Sequence, residues 1–247
     1  MSRLGGLRET AATRSSDAAL KRISDGDGAV ALSEATLATI ARHGYAHITK
    51  QLSVEGFEAI ASRLGSIAMR TDLAITPGRS SIVYKPDAIA FHQDNPAMNI
   101  IGWHCVQQDD IDGSARLIDT ADVVDHFSPD QLRIMTSIDV RFPDTDPSRH
   151  YPDKGLIAYL LWPMLTENPT RVEVYYVPWL MLDSYSAEQR EVIAKFDEYL
   201  LAKEVINIRL NEGETLFIDN NRMLHGRGPI QAGSKRFLKR LWIKRDS

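Results

Sequence analysis

The C-terminal stretch constrains the fold most. Behind the turn Asn211-Glu212-Gly213 a β-rich run extends to Asn220, and the chain continues through Leu224-His225-Gly226-Arg227 into a loop broken by Gly228 and Pro229. A second run, Phe237 to Ile243, is apolar and aromatic with cations interleaved. Strand alternation puts Arg236, Arg240 and Trp242 on one face of that run and Phe237, Leu241 and Ile243 on the other. The second face suits a core. Two guanidiniums and an indole sharing a face, with a histidine close by in sequence, suit an anionic ligand lying beside a metal ion. The matching ligands lie far upstream, at His92-Gln93-Asp94.

Length and charge set the limits around that feature. At 247 residues and 43% hydrophobic content the chain can bury one substantial core. We expect a polar, weakly periodic arm over residues 1–32 and one α+β, mainly β, domain over 33–247. A net charge of -4 argues against a nucleic-acid or anionic-membrane surface, which needs clustered Lys and Arg in excess, and favours a small-molecule substrate. The oligomeric state is not legible. The lone Cys105 forms no internal disulfide, and neither a signal-peptide run nor a span of eighteen apolar residues is present, so a cytoplasmic protein is expected.

In chain order, Ser33 reads as the cap of a helix with Leu37 and Ile40 inward, stopped by Gly44. Tyr45 to Thr49 reads as a strand, and Ser53 caps a second helix with Phe57, Ile60 and Leu64 inward, ended by Gly65. Residues 66–99 look irregular, with a short β-like piece at Ser81 to Tyr84, and so resemble a functional or mobile segment. Arg70, Arg79, Lys85 and Asn95 give residues 66–97 the composition of a loop that closes over a polar ligand. Met98 to Gln107 and Ala115 to Ile118 read as a hairpin around Asp110 to Gly113. Ser128-Pro129 with Gln131, and Ser186 with Gln189, carry capping-box signatures, the latter opening a helix that buries Val192, Ile193, Phe196 and Leu200. Between them, Leu156 to Leu165 and Arg171 to Leu182 read as strands.

The chemistry rests on His92, Asp94 and His225. Two imidazoles and one carboxylate leave three open positions on an octahedral ion, the facial arrangement of mononuclear non-haem Fe(II) oxygenases. A His-x-acid triplet is expected about once in a chain of this composition, so the triplet by itself carries little information. The constellation carries more. Arg236 and Arg240 lie on one strand face roughly 13 Å apart, at about 3.3 Å per residue, and can reach different ends of a dicarboxylate. Iron on these ligands has a formal charge of about +1 and a 2-oxoglutarate dianion makes the cluster about -1, so a buried arginine is needed for the distal carboxylate.

His92-Gln93-Asp94, the segment from Gly113 to Asp119, the segment from Phe217 to Arg227 and the run from Arg236 to Trp242 together resemble the Fe(II)/2-oxoglutarate-dependent oxygenases of the taurine dioxygenase and clavaminate synthase type. The resemblance covers roughly residues 45–245. It implies a double-stranded β-helix (jelly roll) with helices packed outside, iron on His92, Asp94 and His225, and 2-oxoglutarate and O2 as cosubstrates. It further implies hydroxylation of an aliphatic C–H with release of succinate and CO2. By the family's spacing Arg240 grips the distal carboxylate and Arg236 lies near the chelating end. The wording around His225 and Arg240 resembles the branch acting on free amino acids, which includes hydroxylases and halogenases. Halogenases lack the acidic ligand, so Asp94 disfavours halogenation. The family often places a threonine on the strand after the glycine turn to hold 2-oxoglutarate. The nearest matches here are Arg116 and Thr120. A catalytically silent jelly-roll sensor is an alternative, as is a cupin-like zinc or manganese enzyme, which leaves Arg236 and Arg240 unexplained.

For substrate contact the candidates are Asn95, Arg79, Trp242 as a wall of the pocket and Arg227 as a cation at its mouth, favouring a substrate with a carboxylate. The remaining aromatic and sulfur side chains read as structural. His43 closes a helix, where a cation meets the dipole, and His126 and His150 read as exposed. His104 reads as a core histidine and Cys105, on the opposite face, as a small buried hydrophobe. Trp162, Tyr159 and Trp179 read as core.

Overall fold

The computed structural model describes residues 28–79, 81–109, 113–143, 159–168 and 171–245. Its first helix, α1 (Gly28–His43), begins before the expected start, and Leu32 is already buried in it. Residues 28–32, at the end of the segment read as an arm, are thus ordered as the start of this helix. Ser33 is no cap: it lies inside the helix, where its hydroxyl donates to the Val30 carbonyl at 2.8 Å. Residues 1–27 fall outside the described residues. After strand β1 (Tyr45–Ile48), helix α2 (Val54–Leu64) starts as expected, with Ser53 Oγ accepting from the Gly56 amide.

Two antiparallel sheets follow. The larger has the order β1, β11 (Thr215–Asp219), β4 (Ile100–Gln107), β13 (Phe237–Lys244) and β2 (Ser66–Ala74). The smaller has the order β10 (Ile206–Ile208), β5 (Ala115–Asp119), β12 (Met223–Arg227) and β3 (Ile89–His92). One apolar cluster, with Ile101, Leu117, Leu216, Met223 and Leu238, lies between the sheets. A second joins the outer face of the larger sheet, through Phe217, Leu241 and Ile243, to Phe57, Ile60 and Leu64 of α2. The strand alternation read from Phe237 to Ile243 is thus the one that the two layers use. A third cluster covers the smaller sheet with α3 (Val123–His126), α4 (Pro129–Thr136) and α5 (Ala187–Ala202). Antiparallel pairs β6 (Asp139–Pro143) with β7 (Tyr159–Pro163), and β8 (Leu165–Asn168) with β9 (Arg171–Val174), complete it.

Both capping boxes form, at Ser128 with Gln131 and at Ser186 with Gln189, and Val192, Phe196 and Leu200 are buried as read. Several other expectations fail. Residues 66–74 form β2, which pairs along most of β13, with Ile67, Met69, Thr71 and Leu73 less exposed than the alternating Ser66, Ala68, Arg70 and Asp72. Ile82–Tyr84 is a single 3-10 turn, not a strand. The supposed hairpin is a crossover: β4 pairs with β11 and β13, while β5 pairs with β10 and β12 in the other sheet. Regular strand in 171–182 stops at Val174, and Pro178–Leu180 turns as 3-10 helix. Residues 110–112, 144–158 (with His150) and 169–170 fall outside the described set.

Candidate active site

Pairing of β12 with β3 makes the centre. His225 and His92 are direct cross-strand partners, and their rings lie 4.3 Å apart. The register shifts just after His225, at Gly226, where a Cβ would stand 2.6 Å from the Ile89 carbonyl oxygen. No side chain fits there, so glycine lets the two strands approach. His92 Nδ1 donates to the Ala90 carbonyl at 2.8 Å, which leaves Nε2 as the lone-pair nitrogen facing inward. Asp94 Oδ1 lies 3.8 Å from His92 Nε2 and 3.9 Å from His225 Nε2. One ligand atom from each of the three residues falls within 4.8 Å of the others.

Electrostatics favour a cation at that point. Burial lowers the pKa of both histidines, to about 3 for His225, where His92 adds to the effect. Burial pushes the Asp94 carboxyl up, but Arg240 and then His225, His92 and the Trp242 N–H outweigh it, so the net direction is down and the carboxylate stays ionised. Two neutral imidazoles and an anion are the donor chemistry of a divalent ion. The residues therefore fit the metal that the sequence implies.

Asp94 is held on every side. Its Oδ2 accepts from Arg240 at 3.1 Å and from Trp242 Nε1 at 2.8 Å. Its backbone amide donates to Asn220 Oδ1 at 3.0 Å, and Asn220 Nδ2 donates to the carbonyls of Asn95 and Met98 at 3.1 and 2.9 Å. Gln93 points the other way and exchanges two hydrogen bonds with the Tyr176 backbone.

From His92 and His225 a cavity runs between the sheets, walled by Leu73, Val83, Ile89 and Leu216. Arg240 lies at its metal end. Arg236 lies at the far end beside Arg227 and Gly113, and burial, then Arg227, pulls its pKa down to about 10. The two arginines thus lie along the cavity in the opposite order to the one expected, because the register places Arg240 opposite Trp103 in mid-strand and Arg236 just before β13 begins.

Other expectations change with it. Thr120 is absent from the cavity wall: its hydroxyl donates to the Arg222 carbonyl at 2.6 Å. Arg116 stacks over Phe91 at 5.0 Å, and the cavity-facing position of β5 is Ala115. Arg79 is exposed over Tyr84 and does not reach the site. Asn95 is buried beneath the motif, with Oδ1 accepting from the Ala97 amide, outside the cavity wall. Arg227 lines the cavity but is no open-mouth cation; it donates to the carbonyls of Lys85 and Asp87. Trp242 is a donor to Asp94 and not a wall. His104 is a core histidine, stacked on Phe57 and bonded to Thr215 Oγ1 at 3.1 Å, and Cys105 is buried. His43 closes α1, but burial and then Arg42 lower its pKa, so it does so as a neutral ring. His126 is half-exposed beside Asp122 at 3.0 Å. Trp179, read as core, is 48% exposed with its ring 4.8 Å from that of His92. Trp103, edge-on to His225 at 5.1 Å, and Asn220 were missed; each belongs to a strand or turn whose aromatic or amide content alone has no functional signature.

The sequence profile described as Taurine catabolism dioxygenase TauD, TfdA family, matches residues 19–242. The chain belongs to this family. The structure of the non-heme iron oxygenase OrfP in complex with Fe and alpha-ketoglutaric acid is similar at TM-score 0.68 and 18% identity, covering 94% of this chain and 84% of that one. Asparagine oxygenase in complex with Fe(II), 2S,3S-3-hydroxyasparagine and succinate is similar at TM-score 0.66 and 15% identity, covering 94% and 90%. These likenesses establish the jelly-roll fold. Human gamma-butyrobetaine dioxygenase is 25% identical over 176 residues, 63% of this chain and 43% of that protein, so the chain spans less than half the length of that relative. Among the described residues no helix is long and apolar enough to cross a membrane.

Proposed function

We propose that this family member is an Fe(II)/2-oxoglutarate-dependent oxygenase that hydroxylates an aliphatic C–H bond of a free amino acid or a derivative. The observation that carries the reading is the convergence of His92, Asp94 and His225 at one end of an apolar cavity whose other end holds buried arginine. His92, His225 and Asp94 would hold the iron. Bound iron supplies O2 activation coupled to decarboxylation of the keto acid, giving succinate and CO2. The chain's own part is positioning. Arg240 and Trp242 occupy Asp94 Oδ2, which directs Oδ1 toward the metal. Leu73, Val83, Ile89 and Leu216 exclude water from the aliphatic part of the keto acid, and Arg236 meets its distal carboxylate.

Substrate class rests on the relatives: asparagine, arginine derivatives and gamma-butyrobetaine are small molecules that bear a carboxylate. Anaerobic binding of Fe(II) and 2-oxoglutarate, followed by a screen of amino acids and betaines for succinate release, tests both parts. Substrate-stimulated succinate is the expected result. Tight binding of both ligands with no turnover for any substrate, coupled or uncoupled, would instead identify a silent sensor module.

A further inference from the structure

We infer that Arg227 is a second anchor for the far carboxylate of the cosubstrate, supplying in this pocket what a side-chain hydroxyl would otherwise provide; this rests on the cavity being the 2-oxoglutarate site. Arg227 on β12 and Ala115 on β5 are direct cross-strand partners, and both line the cavity. Ala115 is the cavity-facing residue after the glycine turn, and its methyl offers no hydrogen bond. Gly113, two residues earlier, has φ 129 and lies under Arg236: a Cβ there would stand 3.0 Å from Arg236 Cδ and Nε. Two small residues thus leave a floor on which two guanidiniums lie.

Among the described residues no carboxylate is in direct contact with either guanidinium at that floor. Arg227 and Arg236 are 8% and 7% exposed, and among the described residues neither pairs with a carboxylate. Arg236 donates to the Gly113 carbonyl at 3.0 Å, and Arg227 to the Lys85 and Asp87 carbonyls at 2.7 and 2.6 Å. Carbonyls satisfy N–H groups but do not neutralise a cation. The Nε atom of each arginine is buried without a partner. Two acids act on the pair from a distance: Asp109, which reaches Arg236 and is engaged by Ser234 Oγ and the Lys235 amide, and the exposed Asp87, which reaches Arg227 without outweighing its burial.

Two like charges buried side by side repel each other and carry a desolvation cost, and an anion between them relieves both. A carboxylate has about four lone-pair sites on two oxygens, enough to accept from two guanidiniums at once. A site built this way rejects a keto acid that lacks the far carboxylate, because both cations are then left unpaired.

The test uses Fe(II)-loaded protein under anaerobic conditions, with 2-oxoglutarate and 2-oxovalerate, which lacks the far carboxylate, titrated by calorimetry. Arg227→Gln is expected to weaken 2-oxoglutarate by about tenfold or more while changing 2-oxovalerate by less than about threefold. Arg227→Lys, which keeps the charge and loses the fork, is expected to fall between and serves if the glutamine variant does not fold. Equal weakening of both keto acids, or of neither, overturns the inference. Loss of 2-oxoglutarate binding in Arg236→Gln with full retention in Arg227→Gln removes the second anchor and leaves the cavity reading standing. Failure of the unmodified protein to bind 2-oxoglutarate removes both.

Discussion

The two ends of the cavity are built on opposite principles. At the metal end every charge has a partner in the chain: Asp94 meets Arg240 and Trp242, and Asn220 holds its backbone. At the far end Arg227 and Arg236 are as deeply buried and, among the described residues, donate to carbonyls and to no carboxylate. The metal end is therefore organised before any ligand arrives, and donors fixed in advance need no rearrangement at the moment of reaction. On the inference drawn above, the far end carries an electrostatic cost that an incoming anion offsets. One end is a scaffold, the other a vacancy for charge.

That contrast is open to attack through stability. Arg240→Met leaves the buried Asp94 carboxylate without its cation, and a metal-free protein is expected to lose on the order of 3–5 kcal/mol. Arg236→Met removes a buried cation that has no anionic partner, and the same protein is expected to keep or gain stability. Urea unfolding of both variants in metal-free buffer compares them. Similar losses in the two would erase the distinction between the ends.

A smaller effect concerns Trp242. Replacing it by Phe keeps the bulk and removes the N–H that occupies Asp94 Oδ2 at 2.8 Å, so affinity for a divalent ion such as Co(II) is expected to fall about 10–100-fold. Calorimetric titration reads it directly, and unchanged affinity would mean that Arg240 alone holds the carboxylate.

The smallest effect is a control far from the cavity. Asp122 bonds Lys203, Tyr199 and His126; although burial pushes its carboxyl up, those bonds hold it at about 2, below the ordinary 3.8. A folded-state pKa below the unfolded one stabilises at pH values above about 4, and this contribution is lost as pH falls toward 2. The carboxylate is 41% exposed, which keeps the amplitude below about 1 kcal/mol. Asp122→Asn should flatten the acid limb of stability by that amount without affecting the cavity, and an unchanged acid limb would show that the pair contributes nothing.

Much of the site was legible because its signals are local. The alternation of β13 predicted which face carries Arg236 and Arg240 and which packs on α2, since side-chain direction reverses at every strand residue whatever the partner. The capping boxes at Ser128 and Ser186 needed only three residues of spacing. His92, Asp94 and His225 were named as candidate ligands from the wider constellation and the family resemblance, and the fold brings them together.

Partnership across the fold was not legible. The sequence could not say that β4 and β5 belong to different sheets, that residues 66–74 are a strand alongside β13, or that Ala115 and not Thr120 faces the cavity. Nor could it say which arginine stands at which end. Strand periodicity determines the face of a residue, but its neighbour is chosen by register between strands far apart in sequence, as with Arg240 and Trp103. In this protein the sequence by itself named the candidate ligand set and the strand face that carries the arginines, and the closure of two sheets decided where each charge sits along the cavity.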